Sequence, residues 1–268
     1  MSEKGRSAEG VFEQLHLRYD ILACLAEAER EKAELETVLD SSRATIYRGV
    51  RELEETGLVE YGTDGYRPTV SGKTLLNAYE DFIALVDRTL DAQDVLNILP
   101  DAPAIPPAFL RDVEVISAEN AAPHIPGSRL NTLISETNTL RGLLKTHSQP
   151  GAKETYYQSI IERGMEAEVI LQTDFYEYLR SLEDAQINEI LAHDRFEWYT
   201  VERVPYGLLL PERETGDRCV VMLAYDSDLM LRGILINESP AAIEWGNDVF
   251  QRYKQQATAL ESPLNDDN

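Results

Sequence analysis

The run Ser41–Arg51 combines the side chains of this chain that are best suited to recognising another molecule. It contains three arginines, two serines, a threonine and a tyrosine, and it has no carboxylate. Arginine guanidinium groups form paired hydrogen bonds with base edges and phosphates, and hydroxyl groups add single hydrogen bonds. These residue types therefore favour contacts with DNA.

The spacing of the apolar residues predicts that most of this run lies on a helix. With 100° per residue, Ile46, Val50 and Leu53 share one side, which would face a core. The opposite side carries small, hydroxyl, phenol and guanidinium groups, which suit the major groove of DNA. We therefore predict that Arg43–Thr56 is a recognition helix. The alternative is a solvated face whose arginines pair with nearby glutamates on the same helix.

The residues before this helix supply the other half of the motif. Lys32–Leu39 has a helical pattern, and the polar turn Asp40–Ser42 separates it from the recognition helix. Two short helices around a tight turn are typical of a helix-turn-helix. Ser42 fits the N-cap position, and the free N–H groups and Ser41 beside it could hold a phosphate.

A β-hairpin is predicted after the recognition helix. Leu58–Tyr61 and Tyr66–Val70 have strand character, and Gly62–Gly65 contains an Asp-Gly pair that is typical of hairpin turns. The stretch from residue 65 to residue 79 contains two basic residues and no carboxylate. We predict a wing that touches the DNA backbone or minor groove. The predicted DNA-binding residues are Ser41, Ser42, Arg43, Ala44, Thr45, Tyr47, Arg48, Arg51, Arg67 and Lys73.

The acidic composition sets these basic stretches apart. The 268 residues include 48 acidic and 25 basic ones, which gives a net charge of −23, and only 6 of the basic residues are lysines. A dense carboxylate surface stays hydrated at high salt, where its self-repulsion is screened. The composition therefore predicts a protein of a halophilic archaeon, and an ordinary acidic protein is the alternative.

The composition also indicates where the protein is located and which state its two cysteines adopt. No apolar run reaches the roughly 20 residues that span a bilayer, and the polar N-terminus lacks the apolar core of a signal peptide. We expect a cytoplasmic protein with no membrane partner. Cys24 and Cys219 lie among apolar residues and are expected to be buried.

The fold class expected is α+β or α/β: an N-terminal winged helix-turn-helix, a long linking helix and a C-terminal α/β sensor domain. The long helix carries one apolar stripe that suits a second subunit. The expected organisation is a flexible tail at 1–14, a winged helix-turn-helix at 15–70, a dimerisation helix at 71–95, a proline-rich linker at 96–110, an α/β effector-sensing domain at 111–260 and a flexible tail at 261–268.

The second half reads as intermixed strands and helices. The expected strands are Val113–Ile116, Val169–Leu171, Phe196–Val201, Leu208–Pro211, Cys219–Tyr225 and Met230–Ile236. The expected helices are Arg129–Leu144, Lys153–Glu162, Phe175–Leu191 and Pro240–Leu260.

Residues for an effector are predicted from their polarity. Thr137, Asn138 and Arg141 share a predicted helical segment, and Arg141 would face an anionic metabolite. Tyr156 is a polar-tipped aromatic residue, and Tyr206 lies at a strand entry, where ligand crevices often occur. The alternative is that the arginine forms a salt bridge and the tyrosines pack in the core.

Known catalytic motifs are absent from the sequence. Phosphodiesterase chemistry on similar α/β folds needs a histidine with a lysine two positions later. The four histidines, His16, His124, His147 and His193, all lack that lysine. The nucleophile elbow, the Walker A motif and the zincin motif are also missing. We therefore expect no enzyme activity, no catalytic residue, no metal and no cofactor.

Short motifs in a fixed order resemble known archaeal regulators. Lys32–Tyr66 resembles archaeal winged-helix regulators, with Ser42–Arg48 at the start of the recognition helix. The second half resembles the sensor half of haloarchaeal regulators of the TbsP type and of related archaeal regulators with a methanogenesis-regulator middle domain. Its matching motifs are Glu114–Ile116, Leu140–Leu143, Gly164–Leu171, Pro205–Leu208, Glu244–Trp245 and Phe250–Tyr253. The resemblance implies a metabolite-responsive regulator of sugar or central carbon metabolism.

The prediction is thus a homodimeric transcriptional regulator that binds double-stranded DNA and a small-molecule effector. Two other classes stay open. One is an enzyme with an unfamiliar site in the second half. The other is a protein–protein adaptor whose winged helix binds a partner instead of DNA.

Overall fold

The structure is a computed structural model that describes residues 7–99, 105–118, 121–146 and 150–260. The chain divides into two compact units, Met1–Val86 and Asp87–Asn268, and each is described by itself. The C-terminal tail predicted at 261–268 lies outside the described residues.

The described part of the first unit is a helix-turn-helix followed by a hairpin and a long helix. Helices α2 and α3 form the helix-turn-helix, and β1 pairs antiparallel with β2 as the wing. The predicted winged helix-turn-helix is confirmed. The elements are α1 (Ala8–Glu27), α2 (Lys32–Val38), α3 (Arg43–Glu55), β1 (Val59–Tyr61), β2 (Tyr66–Pro68) and α4 (Val70–Asp91).

Helix α1 begins well before the residue at which the sequence pattern places it. The hydroxyl oxygen of Ser7 accepts a hydrogen bond from the backbone N–H of Gly10, at 3.1 Å, and so caps the helix. The prediction of a flexible tail through residue 14 is therefore wrong for residues 8–14.

Close contact between α1 and α3 holds the recognition helix in place. A Cβ atom on Gly49 would lie 2.4 Å from Cδ1 of Ile21, so a larger residue here would require the Ile21 side chain to shift. The guanidinium of Arg18 pairs with Glu52, with 2.8 Å between Nε and Oε2. The shared core consists of Leu15, Ile21, Leu22, Cys24, Leu25, Leu35, Ile46, Val50, Leu53, Leu58, Val59, Leu76 and Tyr79.

Helix α4 also starts earlier than predicted. The hydroxyl oxygen of Thr69 accepts a hydrogen bond from the backbone N–H of Gly72, at 3.0 Å, so Thr69 caps the helix. A Cβ on Gly72 would lie 2.0 Å from the carbonyl oxygen of Leu58, so this glycine lets the helix pass close to the wing. Among the described residues, no helix is long and apolar enough to cross a bilayer.

The described strands of the second unit form one eight-stranded mixed sheet in the order β10-β6-β5-β4-β7-β8-β9-β3. Strands β4, β5 and β6 are parallel, and the other pairs are antiparallel. The elements are α5 (Gln93–Leu96), α6 (Pro107–Leu110), β3 (Glu114–Ser117), α7 (Ile125–Ser135), β4 (Thr139–Leu144), α8 (Ala152–Tyr157), a π-helical turn (Gln158–Glu162), β5 (Glu166–Gln172), α9 (Thr173–Ser181), α10 (Ala185–Leu191), β6 (Phe196–Val201), β7 (Gly207–Glu212), β8 (Val220–Tyr225), β9 (Leu231–Asn237), α11 (Pro240–Lys254) and β10 (Thr258–Ala259).

Helices cover both faces of this sheet. On one face, residues of α7 to α10 pack with alternate strand residues such as Leu140, Val169 and Leu209. On the other face lies α11, where a Cβ on Gly246 would come within 2.8 Å of both Leu210 and Val220. The alternation of Leu209 and Leu210 between the two faces follows from the two-residue period of a strand.

All six predicted strands are present, with shifts of a residue or a few at their ends. The predicted helix at 129–144 is confirmed for residues 129–135 and wrong beyond them, because α7 ends at Ser135 and Thr139–Leu144 is strand β4. This strand lies between β5 and β7 and is largely buried on both faces, so its sequence shows no alternation. The short strand β10, after α11, was predicted as helix.

The linker predicted at 96–110 lies partly outside the described residues, at 100–104. At its end, Pro107 begins helix α6, a position that proline favours. Phe109 of this helix is fully buried, and its ring centroid lies 4.9 Å from that of Trp245. The linker prediction is therefore wrong for residues 107–110.

Candidate DNA-binding surface

The turn between α2 and α3 provides the N-cap of the recognition helix. Asp40 has a φ of 45°, a left-handed conformation that aspartate tolerates. The hydroxyl oxygen of Ser42 accepts a hydrogen bond from the backbone N–H of Thr45, at 3.2 Å, as the predicted N-cap requires. The hydroxyl of Ser41 donates to the carbonyl oxygen of Leu39, at 3.3 Å.

The two sides of α3 face core and solvent as the sequence predicts. Ile46, Val50 and Leu53 are fully buried. The outer face is exposed, and Gly57, with a φ of 74°, ends the helical segment. The exposed residues on this face are Ser42, Arg43, Ala44, Thr45, Tyr47, Arg48 and Arg51.

Two arginines on this face already have carboxylate partners. Nε of Arg43 lies 3.8 Å from Oε1 of Glu36, and Nε of Arg51 lies 3.2 Å from Oε1 of Glu55. Exposed pairs of this kind contribute about 0.2–1 kcal/mol, so DNA could compete for either arginine at modest cost. The alternative of pairing with a glutamate of the same helix is thus realised for Arg51, whereas the partner of Arg43 lies on α2.

Arg48 differs from its neighbours. Its side chain is exposed and has no ion pair or hydrogen bond within the described residues. It lies one residue from Tyr47, whose ring is 39% exposed and is flanked by two cations. The guanidinium carbon of Arg43 lies 5.0 Å from the ring centroid, and Nζ of Lys32 lies 5.2 Å from it.

The wing is built differently from the expectation. Arg67 pairs with Glu60 at 3.0 Å and with Glu29 at 3.1 Å. Hydrogen bonds to Glu60 and Glu29 raise the pKa of the Arg67 guanidinium. A guanidinium held by two carboxylates must exchange them for a phosphate, so Arg67 is less available to DNA than expected, and its contacts tie the hairpin to the residues before α2.

Two lysines remain as basic groups near the wing. Lys73 is exposed on the first turn of α4, and its ammonium has no partner within the described residues. The ammonium of Lys32 lies 4.6 Å from the ring centroid of Tyr66 and also near the ring of Tyr47. Lys32 was not among the DNA-binding residues predicted from the sequence. The feature that could have indicated it is a lysine, rare in this chain, at the start of α2.

The predicted effector residues do not form one site. Thr137 is buried and donates a hydrogen bond to the carbonyl oxygen of Leu133, at 2.7 Å, whereas Asn138 is exposed. Arg141 lies on β4, not on a helix shared with them, and its guanidinium carbon is 6.0 Å from the ring centroid of Phe250 on α11.

The two predicted tyrosines are both buried. Tyr156 packs in the core beneath α7 to α10, on the sheet face opposite to Arg141. Tyr206 is 2% exposed, and burial raises its pKa to about 12. The packing alternative therefore describes Tyr206 well.

Both cysteines are free and buried, as predicted. Burial raises the pKa of the Cys219 thiol to about 11, so it stays protonated near neutral pH. Within the described ranges, no group of three or more His, Cys, Asp or Glu residues could hold a metal ion.

Comparison with known proteins separates the same two halves. Residues 10–91 match the HVO_A0261 N-terminal domain, and this range contains the whole winged helix-turn-helix. Residues 123–256, half of the chain, match the middle domain of the methanogenesis regulatory protein FilR1.

One curated relative is the methanogenesis regulatory protein FilR1 of Methanothrix harundinacea (strain 6Ac), which is 26% identical over 262 residues. The match covers 94% of this chain and 57% of the relative, so the chain spans little more than half of that protein.

Solved structures resemble the chain only slightly. TrmBL2, an archaeal chromatin protein described as showing a novel mode of DNA binding, has a TM-score of 0.43 and 14% identity over 95% of this chain and 100% of its own. A polyphosphate kinase from Porphyromonas gingivalis has a TM-score of 0.37 and 12% identity over 75% of this chain and 28% of its own. At these scores neither structure informs the function. The match over half of the sequence decides the family: the chain belongs to the family defined by the middle domain of the methanogenesis regulatory protein FilR1.

Proposed function

We propose that this protein is a DNA-binding transcriptional regulator whose helix α3 reads the major groove. The observation that carries the proposal is Arg48, an exposed guanidinium with no partner among the described residues, on a helix whose opposite face is fully buried. A guanidinium in that position can form paired hydrogen bonds with a guanine. The named relative is itself a regulatory protein.

The acidic surface makes the location of this basic group informative. With a net charge of −23, most of the chain repels DNA. Contact with the duplex is therefore easiest through exposed cations that have no carboxylate partner within the described residues. Arg48 on α3 and Lys73 on α4 are exposed cations of this kind.

We propose that two copies associate through α4. Its apolar stripe packs in the core at Leu76 and Tyr79 and then continues outward, where Phe82 is 47% and Ile83 is 37% exposed. Phe12 of α1 extends this surface, with its ring centroid 6.0 Å from that of Phe82. An exposed aromatic and aliphatic stripe on a 22-residue helix supports pairing with the same stripe of a second copy.

Two further parts of the proposal concern the response to a metabolite and the kind of organism from which the protein comes. We propose that the second unit binds a small metabolite and that binding changes the affinity of the dimer for DNA. We also propose a haloarchaeal origin, which the excess of acidic residues and the low lysine count support, and a regulator of the TbsP type, which the resemblance of the motifs in the second half implies. In roughly molar salt, where the Debye length is about 3 Å, phosphate contacts weaken and base contacts gain importance.

Binding to DNA fragments tests the proposal. Fluorescence anisotropy would follow the full chain with labelled fragments from upstream of its own gene, with a scrambled fragment as competitor. The regulator proposal predicts that one fragment is preferred, and that Arg48→Ala loses the preference. Arg203→Ala is the matched control, because Arg203 is an exposed arginine of the second unit. If no fragment is preferred in any salt, the proposal fails and the adaptor alternative becomes the better explanation.

A further inference from the structure

Three of the four arginines on α3 and the wing are paired with glutamates. The partners come from four places in the first unit: Glu36 on α2, Glu55 at the end of α3, Glu60 on β1 and Glu29 between α1 and α2. The fourth arginine, Arg48, is exposed and has no carboxylate partner within the described residues. The fold thus places a negative charge against each arginine of these elements except one.

The guanidinium of Arg43 is held by three contacts. Its Nε lies 3.8 Å from Oε1 of Glu36, its Nη2 donates a hydrogen bond to the hydroxyl of Tyr47 at 3.3 Å, and its Cζ lies 5.0 Å from the centroid of that ring. The side chain of Arg43 is 74% exposed, and that of Glu36 is 29% exposed. A phosphate that approaches Arg43 therefore meets a partly buried carboxylate beside it and is repelled by that charge.

Helix stability does not explain where two of the glutamates lie. Glu36 is in the last turn of α2 and Glu55 is the last residue of α3, and neither turn contains a basic residue. Carboxylates at the C-terminal end of a helix oppose its dipole and destabilise it. The pair of Arg51 and Glu55 also has the less favourable order, with the arginine on the N-terminal side. Their effect on the outward arginines explains these positions better.

The arginine of the wing is held more firmly than those of α3. Nη1 of Arg67 lies 3.1 Å from Glu29, and its Nε lies 3.0 Å from Glu60. Glu29 also accepts a hydrogen bond from the backbone N–H of Asp64, at 3.1 Å, and this bond is the largest cause that lowers the pKa of Glu29. Glu29 therefore stays ionised, and a phosphate would have to displace two carboxylates to reach Arg67.

These ion pairs act differently on the two kinds of contact with DNA. Contacts between cations and phosphates are shared by all sequences and supply essentially all of the affinity for non-target DNA. Contacts with base edges differ between sequences. An arginine that must first leave a carboxylate contributes little to the shared contacts, whereas Arg48 is available for a base.

We propose that Glu29, Glu36, Glu55 and Glu60 are specificity-determining residues of the candidate DNA-binding surface. They hold three arginines in ion pairs and so limit the affinity for DNA of arbitrary sequence, which leaves selection to the base contact of Arg48. The inference rests on the proposed regulator function and adds the acidic residues that set its selectivity.

Fluorescence anisotropy of the full chain, with the preferred and the scrambled fragment over a series of salt concentrations, tests this role. The double variant Glu36→Gln/Glu55→Gln removes two negative charges and keeps the side-chain size. An exposed ion pair corresponds to about a 1.4- to 5-fold change in affinity, so the double variant should bind the scrambled fragment about 2- to 30-fold more tightly. The slope of log K against log salt should steepen by about 0.9 for each arginine that gains a phosphate.

The preferred fragment should gain less affinity in the same variant. Its base contact fixes the position of α3, so a freed arginine gains a phosphate only where one lies within reach. The ratio of the two affinities should therefore fall.

Two controls separate this effect from a change in net charge. Glu177→Gln, at an exposed glutamate of α9, makes the same kind of charge change and should leave both affinities and the salt slope unchanged. In an Arg51→Ala background, Glu55→Gln should have no effect, because the glutamate acts through that arginine.

Three results would overturn the proposal: an unchanged affinity for the scrambled fragment, an equal gain on both fragments, or a gain from Glu55→Gln that persists without Arg51. If the wild type prefers no fragment and the double variant still binds scrambled DNA more tightly, the restraint of the arginines stands and the regulator proposal fails. If one fragment is preferred and the double variant binds scrambled DNA like the wild type, the regulator proposal stands and the glutamates have no role in selection.

Discussion

Replacement of Arg48 by alanine is expected to weaken specific DNA binding more than replacement of any other basic residue on α3 or the wing. Arg43, Arg51 and Arg67 each have a carboxylate partner and must exchange it for DNA. Arg48 is exposed and gives up only water. Its contact with DNA should therefore lose the least free energy to the breaking of existing interactions.

The size of the effect follows from the kind of contact. A guanidinium that forms paired hydrogen bonds with a base contributes about 1–3 kcal/mol, which corresponds to roughly a 5- to 150-fold loss of affinity on removal. Arg67 is held by two carboxylates, so Arg67→Ala should change affinity by less than about threefold.

Fluorescence anisotropy over a series of salt concentrations distinguishes a base contact from a phosphate contact. If Arg48 reads a base, Arg48→Ala should lower affinity for the preferred fragment and leave the salt dependence almost unchanged. If it contacts a phosphate, the slope of log K against log salt should fall by about 0.9, and all fragments should lose affinity alike. An Arg48→Ala protein that binds as tightly as Arg203→Ala would refute the reasoning.

Three further predictions concern the cap, the dimer and a buried tyrosine. Ser42→Ala removes the N-cap of α3 and should lower the free energy of unfolding by about 1 kcal/mol, as urea denaturation would show. Phe82→Asp should convert a dimer into a monomer in analytical ultracentrifugation, whereas Leu17→Asp, at an exposed leucine on another side of α1, should not; dimers of both variants would contradict the α4 interface. Burial raises the pKa of Tyr206 from 10.0 to about 12, so its contribution to stability is present below pH 10 and is lost as the pH rises towards 12. Thermal unfolding of Tyr206→Phe should therefore depend less on pH in this window than that of the wild type, and equal dependence would contradict the burial argument.

The first unit was predictable because its signals are local. The period of apolar residues fixed which side of α3 is buried, and Ser42 and Gly57 mark the two ends of the helix. The Asp-Gly pair in the turn marks the hairpin. The first turn of α1 was missed because Ser7, which caps it, lies in a polar stretch without an apolar stripe.

Partners of charged groups were not predictable from local sequence. The runs 41–51 and 65–79 lack carboxylates, yet Glu36 of α2 reaches Arg43, and Glu29 reaches Arg67. These acids arrive through tertiary packing. A count of charges along the chain therefore overestimated how many arginines are free, and only the structure distinguished Arg48 from the others.

The second unit shows where the apolar pattern of a sequence no longer predicts its secondary structure. Strand β4 is central and largely buried, so its apolar run fits a helix or a strand equally well. Because Arg141 was assigned to a helix, it was grouped with Thr137 and Asn138, from which the fold separates it. Tyr156 was selected for its polar tip, but its side chain packs in the core beneath α7 to α10, which the local sequence did not reveal.

Chemical footprinting of guanine N7 tests most directly whether α3 reads the major groove, because N7 is an acceptor exposed only in that groove. The preferred fragment would be methylated with dimethyl sulfate in the presence of the wild-type chain and of Arg48→Ala. The proposed function predicts that the wild type protects at least one guanine N7, and that this protection is lost in Arg48→Ala while Arg203→Ala retains it. Specific binding by the wild type with no protected N7 would contradict the assignment of α3 as the recognition helix.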